Sequence, residues 1–208
     1  DDGVIDLDGA SSVIDSRTKL VAATHMSNVL GTINPIAKLA ELAHAVGAVI
    51  LVDAAQSVPH MPVDVQALDA DFLCFSAHKM LGPTGIGVLW GRYDLLDAMP
   101  PYMFGGDMIL EVTYEDANWN DLPYKFEAGT PNIADAIATG AAVDYLSELG
   151  MDKVWQHEQE LTAYAMEQVL SLGNVRVLGP QDPALRGGVI SFIHESIHPH
   201  DLGTALDQ

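Results

Sequence analysis

The segment Asp71-Phe-Leu-Cys-Phe-Ser-Ala-His-Lys79 is an apolar run that ends in three polar side chains. A second segment, Ala48-Val-Ile-Leu-Val-Asp53-Ala-Ala-Gln56, has the same form. Continuous apolar runs of this length are typical of strands that are covered on both faces of a sheet. We therefore predict two buried strands whose terminal polar residues meet at one edge of that sheet.

Strands and helices alternate through the surrounding sequence, which is typical of an α/β layered domain. The apolar runs predict four strands, at about residues 20–23, 48–52, 72–75 and 85–89. Ligands of such sheets bind beyond the carboxyl ends of the strands. Asn28, which follows the first strand, is therefore expected near the polar residues that follow the second and third.

Helical spacing and turn residues indicate the remaining elements. Asn34 and Pro35 predict the cap and first position of a helix that ends at Gly47. We predict further elements as follows: extended segments at 109–113 and 125–126, helices at 133–149, 153–170 and from 201, and strands at 175–178 and 189–193. We place a boundary near Gly150, with residues 1–150 in one domain and residues 151–208 beginning a smaller one.

Composition excludes several classes of function. Asp and Glu number 29 against 9 Lys and Arg, a net charge of −20, so nucleic acid and anionic membranes should repel the chain. No apolar run reaches the roughly 18 residues of a membrane span. The single cysteine, Cys74, excludes an internal disulfide framework and a cysteine zinc site, and it fits a cytoplasmic protein. His194, His198 and His200 do not have the spacing of a known metal site, so we predict no metal.

The polar residues at the strand ends are those that pyridoxal phosphate (PLP) requires. A lysine amine must bond to this cofactor, an acid must face its pyridine nitrogen, and uncharged or cationic donors must hold its hydroxyl and phosphate groups. Alone, Lys79 would be a surface residue and Asp53 a turn cap, but together they fit the first two roles. The remaining candidates are Gln56 and Asn28 for the ring hydroxyl, and Ser76 and His78 for the phosphate.

Two other features near Lys79 have less specific interpretations. The segment Gly82-Pro-Thr-Gly-Ile-Gly87 has neither the ending of a P-loop nor the glycine spacing of a dinucleotide site, so it predicts a close backbone approach. Cys74 lies on the same strand face as Ser76 but deeper, and we expect it to be a structural thiol without a catalytic role.

An ordered set of motifs gives this chain a close resemblance to a known family. The motifs are Thr24-His-x-Ser-Asn28-x-Leu-Gly31, Val52-Asp53-x-Ala-Gln56, Phe75-Ser-x-His-Lys79, Gly82-Pro-Thr-Gly-Ile-Gly87, Gly105-Gly-x-Met-Ile109 and Phe126-Glu-Ala-Gly-Thr-Pro-Asn132. The chain resembles the class V aminotransferase-like family of fold-type I PLP enzymes. Within that family it looks most like the SufS-type cysteine desulfurases, also called selenocysteine lyases.

The resemblance implies a fold and an activity. The fold would be part of a three-layer α/β/α PLP-dependent transferase-like large domain, followed by the start of a small α+β domain. The reaction would convert L-cysteine, or L-selenocysteine, into L-alanine and pass sulfur as an enzyme persulfide to an acceptor protein for iron–sulfur cluster assembly. Lys79 would carry the internal aldimine and shuttle protons, and Thr130 would reach the phosphate in the partner subunit of a homodimer.

Four groups of the family have no counterpart in these 208 residues: a ring-stacking histidine, a phosphate-binding helix start, a persulfide-forming cysteine and a carboxylate-binding arginine. Cys74 does not match that cysteine. We therefore expect about half of a subunit, unable to complete desulfuration and poorly stable by itself. The alternatives are another class V enzyme, such as an aminotransferase or epimerase, and a non-catalytic relative that kept the fold.

Overall fold

The main sheet contains four strands in the order β1–β2–β3–β4. The computed structural model describes residues 3–207. The strands are β1 Leu20–Thr24, β2 Val49–Asp53, β3 Phe72–Ser76 and β4 Gly87–Gly91. The first three are parallel and β4 is antiparallel to β3. The four strands predicted from the apolar runs are thus confirmed, close to their predicted positions.

The described residues form seven α-helices. They are α1 Leu7–Val13, α2 Ile36–Ala45, α3 Ser57–His60, α4 Tyr93–Ala98, α5 Ile133–Leu149, α6 Met151–Ser171 and α7 Pro199–Leu206. Two small antiparallel sheets pair β5 Ile109–Val112 with β6 Ala117–Trp119, and β7 Val175–Val177 with β8 Phe192–His194. The predicted helices correspond to α2, α5, α6 and α7, whereas the short helices α1, α3 and α4 were not predicted.

Two local predictions were wrong. The segment 125–126 is not extended but belongs to the 3₁₀ turn Tyr124–Phe126, in which Lys125 is buried and its Nζ donates to the Asp97 carbonyl at 2.7 Å. Asn34 does not cap α2, because its side-chain nitrogen donates to the Thr24 carbonyl at 2.8 Å. That bond ties the helix entrance to the end of β1 instead.

The core lies on one face of the main sheet. Ile50, Val52 and Leu73 are buried there beneath α2, and Leu146 of α5 packs on the same side, near Leu73. The opposite face is open, with Leu20 51% and Leu89 58% exposed. The described residues therefore supply two of the three predicted layers, the sheet and the helices of one face.

A buried carboxylate fixes the start of β3 against its neighbours. Asp71 is only 4% exposed, and its Oδ2 accepts the backbone N–H of Ile50 at 2.8 Å. The same oxygen lies 2.8 Å from Nε2 of His44 on α2, and Oδ1 lies 3.1 Å from Nε of Arg92, just after β4. One side chain thus connects β2, β3, α2 and the end of β4, because a buried charge is stable only when several donors surround it.

Replacing Asp71 by Asn should lower the free energy of unfolding by about 3 kcal/mol, because His44 and Arg92 would face a buried group without charge. Urea unfolding at one dilute protein concentration measures the change. The control is Glu41→Gln, which breaks an exposed ion pair with Lys38 and should cost less than about 1 kcal/mol. Equal losses in the two variants would contradict the assigned role of Asp71.

The open sheet face predicts that the 208-residue chain alone self-associates, since exposed apolar strands and an unpaired edge at β1 favour pairing with other copies. Light scattering should show a mass that rises with protein concentration. Lysine at Leu20 and Leu89 should reduce association, whereas Leu172→Lys, at an exposed site outside the sheet, should not. A monodisperse monomer whose mass does not change with protein concentration would refute the prediction.

Candidate active site

Parallel register brings the carboxyl ends of β1, β2 and β3 to one edge of the sheet. Thr24 pairs with Asp53, and Asp53 pairs with Cys74. The N–H of His25 donates to the Asp53 carbonyl, and the N–H of Ala54 donates to the Cys74 carbonyl, each at 2.9 Å. Neighbouring strands lie about 4.8 Å apart, so the three loops that carry the predicted residues begin within roughly 10 Å.

Asp53 ends β2 with an exposed side chain on the open face of the sheet. Its Oδ1 accepts the N–H of Ala55 at 2.9 Å, which fixes the orientation of the carboxylate. Among residues 3–207, no side chain or backbone group donates to Oδ2. One oxygen is therefore held by the protein and the other is available to a ligand.

Lys79 lies in the 3₁₀ helix Ala77–Met80, directly after β3. Ala77 and Met80 are buried, and this spacing leaves His78 and Lys79 exposed on the outer side of the turn. Leu81, in the left-handed conformation with φ 66°, ends the helix, and the N–H of Gly82 donates to the Ala77 carbonyl at 2.9 Å. The amine of Lys79 has no hydrogen-bond partner among the described residues.

The glycine-rich segment packs closely against this turn, as the sequence predicted. A Cβ at Gly87 would lie 2.9 Å from the Phe75 carbonyl, and one at Gly82 would lie 2.9 Å from the Ala77 carbonyl. Ser76 pairs with Gly87 in the antiparallel register and is half-buried. The absence of side chains at the two glycines lets the backbone of 82–87 support the loop that carries Lys79.

Gln56 precedes α3 and lines a cavity of about 350 Å³ between α3 and α6. His60 and Glu158 line the same cavity, and Nδ1 of His60 lies 2.7 Å from Oε1 of Glu158, within hydrogen-bond distance. Sequence reasoning gave His60 no role, because its partner is 98 residues away and no local motif joins them. This contact joins α6 to α3, the helix that begins beside Gln56.

Asn28 is exposed in a tight loop that follows β1. In this loop the hydroxyl of Ser27 accepts the N–H groups of Val29 and Leu30, at 3.2 and 3.1 Å. The N–H of Gly31 donates to the Ser27 carbonyl at 3.1 Å, which closes the turn around Asn28.

Thr130 lies in the turn before α5. Two residues later Asn132 accepts the N–H of Asp135, and its amide donates to the Gly85 carbonyl at 3.3 Å, so this turn lies against the 82–87 loop. No hydrogen bond of the described residues joins Thr130 to Asn28, Asp53 or Gln56. Its role at a partner subunit therefore remains a prediction.

The surroundings of Cys74 change the pKa of its thiol. Burial raises the pKa of its thiol, and the negative charge of the adjacent Asp53 raises it further. The reactive thiolate is therefore disfavoured near neutral pH. This agrees with the structural role expected from the sequence.

His25, next to Asp53, is 4% exposed, and burial lowers the pKa of its ring. It is therefore neutral near pH 7 and adds no charge to the strand ends.

The described residues contain no group of three or more His, Cys, Asp or Glu side chains placed to hold a metal ion. Among the C-terminal histidines, His198 caps α7, where its Nδ1 accepts the N–H of His200 at 3.2 Å. No helix in residues 3–207 is long and apolar enough to cross a membrane.

The side chains at the strand ends fit PLP chemically. They provide an amine, a carboxylate with one free oxygen, an amide, a hydroxyl and an imidazole, at the three loops that leave one edge of a parallel sheet. Apart from Asp53, none of these side chains makes a hydrogen bond within the described residues, so their polar atoms remain free for a ligand or solvent. This contrasts with Asp71, whose oxygens are both occupied.

The whole chain is similar to a known protein family. A profile of the aminotransferase class-V family matches residues 1–208. The chain belongs to that family.

Several of the proteins that this chain resembles are described as desulfurases. The chain is 52% identical over its whole length to a cysteine desulfurase of Haloferax volcanii and 54% identical to a probable cysteine desulfurase of Halobacterium salinarum. It spans 49% and 50% of these two relatives, about half of their length.

Solved structures show the same fold. The apo cysteine desulfurase of Thermococcus onnurineus superimposes with a TM-score of 0.91 at 40% identity, over 99% of this chain and 51% of that one. The cysteine desulfurase CsdA of Escherichia coli gives 0.89 at 37% identity, over 97% of this chain and 50% of that one. The predicted fold class, a part of the α/β PLP-transferase fold, is thereby confirmed.

Alkylation of Cys74 tests the geometry at the end of β2 without any cofactor. Because the pKa of the thiol is raised, iodoacetamide should modify Cys74 more slowly than a free cysteine at pH 8, and the rate should still rise at higher pH. Asp53→Asn removes the nearby charge and should increase the rate about twofold, a small effect because Asp53 is exposed.

Peptide mass spectrometry measures this rate at Cys74 alone. Asp64→Asn, in the exposed loop before β3, serves as the matched control and should leave the rate unchanged. If the alkylation rate of Cys74 did not change in Asp53→Asn, the side chains of Asp53 and Cys74 would have to lie farther apart than the parallel register of β2 and β3 implies.

Proposed function

We propose that these residues are part of a PLP-dependent cysteine desulfurase of the relatives' length, referred to below as the intact protein. It would convert L-cysteine, or L-selenocysteine, into L-alanine and pass the sulfur on as a persulfide. The observation that carries the proposal is a set of polar side chains at the ends of β2 and β3, each with at least one polar atom that has no partner among the described residues: Asp53, Gln56, Ser76, His78 and Lys79. Similarity to desulfurases over the whole chain supports this substrate over that of an aminotransferase or epimerase.

The proposed roles follow from the chemistry of each side chain. PLP, when bound, supplies an electron sink for the bonds around the amino acid's α-carbon. The free Oδ2 of Asp53 would hold a proton on the pyridine nitrogen, and the amide of Gln56 would donate to the ring hydroxyl. Ser76 and His78 would donate to the phosphate.

Lys79 would both attach the cofactor through Nζ and move protons during the reaction. Its position on the outer side of a short turn leaves the amine exposed, while the buried Ala77 and Met80 fix the turn beneath it. Asn28 would contact the cofactor or the substrate from the loop after β1.

The proposal extends to the assembly of the protein. The intact protein would be a cytoplasmic homodimer in which Thr130 reaches the phosphate of the partner subunit. Residues 1–150 would belong to the PLP-binding domain, and residues 151–208 would begin the smaller domain. A separate acceptor protein would take up the sulfur for iron–sulfur cluster assembly.

Lys79→Ala in the intact protein should abolish both the covalent attachment of PLP and the release of alanine from L-cysteine, because no other amine lies in this turn. Borohydride reduction followed by peptide mass spectrometry should find PLP on Lys79 in the wild type only. The control is Lys38→Ala, an exposed lysine of α2 that should retain both properties.

The products and the PLP content of the wild-type intact protein distinguish a desulfurase from the alternative functions. Glutamate formed from 2-oxoglutarate, or a racemised product, without sulfur release would indicate an aminotransferase or epimerase. Failure to retain PLP would indicate a non-catalytic relative and would refute the proposal.

A further inference from the structure

Among the described residues, Arg186 has the largest side chain that is completely buried, and no carboxylate there pairs with it. Backbone carbonyl oxygens surround its guanidinium group instead. Nη1 donates to the carbonyls of Pro180 and Leu178 at 2.8 and 3.4 Å, and Nη2 donates to those of Val189 and Leu30 at 2.6 and 3.1 Å. Burying a cation costs free energy, and these four carbonyl oxygens offset that cost. The same hydrogen bonds fix the positions of the segments to which the carbonyls belong.

One of these carbonyls belongs to the loop that carries Asn28. Leu30 is two residues after Asn28 in sequence but 156 residues from Arg186. The guanidinium group therefore joins the loop after β1 to two stretches near the C-terminal end of the chain, 178–180 and 189.

Further contacts join the loop after β1 to residues 185–191. The N–H of Ile33 donates to the Leu185 carbonyl at 3.0 Å, and the N–H of Gly187 donates to the Gly31 carbonyl at 2.8 Å. The hydroxyl of Ser191 donates to the Val29 carbonyl. The two segments approach so closely that a Cβ at Gly31 would lie 2.9 Å from the Val189 carbonyl.

We propose that Arg186 is a positioning residue, which fixes the Asn28 loop at the edge of the PLP site by clamping it to the segment 178–191. The inference rests on the proposed function for the role of Asn28, but the clamp itself does not. Only a planar group with several fixed donors can reach carbonyls on both segments together, so lysine should not replace it.

Hydrogen exchange in the intact protein tests the clamp without reference to activity. Arg186→Lys should increase amide exchange about tenfold or more in residues 27–33 and leave β2 unchanged, because only the former segment loses its attachment. Arg176→Lys, an exposed arginine on β7, is the matched control and should alter neither segment. Unchanged exchange in residues 27–33 would overturn the inference.

A double-mutant cycle tests the link to the cofactor. Arg186→Lys should weaken PLP binding about tenfold when Asn28 is present, and by less than about twofold when Asn28 is already replaced by Ala. The readout is the visible absorbance of bound PLP during titration of the apo protein. An equal effect in both backgrounds would show that Arg186 does not act through Asn28.

If Arg186→Lys does not fold, Ser191→Ala takes its place, since it removes a single hydrogen bond to the same loop. It should raise exchange in residues 27–33 in the same direction but by a smaller factor, and no change there would count against the inference. A wild type that binds no PLP would overturn the proposed function, and the exchange measurement would then decide on the clamp by itself.

Discussion

The position of the site depends on the alignment of the parallel strands β2 and β3, and the carboxylate of Asp71 holds these two strands together at the end opposite the site. It accepts the Ile50 N–H from β2 while it faces His44 and Arg92 from elements on either side. A shift of one residue in β3 would move the Asp71 carboxylate away from these donors. Asp53 would then no longer pair with Cys74. The position of the polar groups at the far edge is therefore fixed by a buried charge about one strand length away.

Much of the architecture could be predicted because its signals are local. The apolar runs that end at Asp53 and Ser76 gave the strands of the sheet, and Gly150 gave the junction between α5 and α6. Where a prediction was wrong, a distant partner had changed the outcome. Asn34 has the chemistry of a helix cap, but its amide bonds to the end of β1 instead.

The candidate site likewise contains residues that could be predicted from local sequence and contacts that depend on distant partners. Residues that follow strands could be placed together from parallel topology alone, because the ends of such strands share one edge. The contacts behind them could not be foreseen. The pairing of His60 with Glu158 and the clamp of Arg186 on Leu30 span 98 and 156 residues, and nothing in the local sequence marks either pair.

The burial of Arg186 also bears on ionic strength. Added salt shortens the Debye length from about 8 Å at 0.15 M to 3 Å at 1 M and weakens exposed ion pairs such as Lys38 with Glu41. Salt ions cannot approach a guanidinium group that is buried among backbone carbonyls. Its hydrogen bonds should therefore depend little on the salt concentration. In a chain with a net charge of −20, salt would relieve repulsion across the surface while the loop after β1 kept its place.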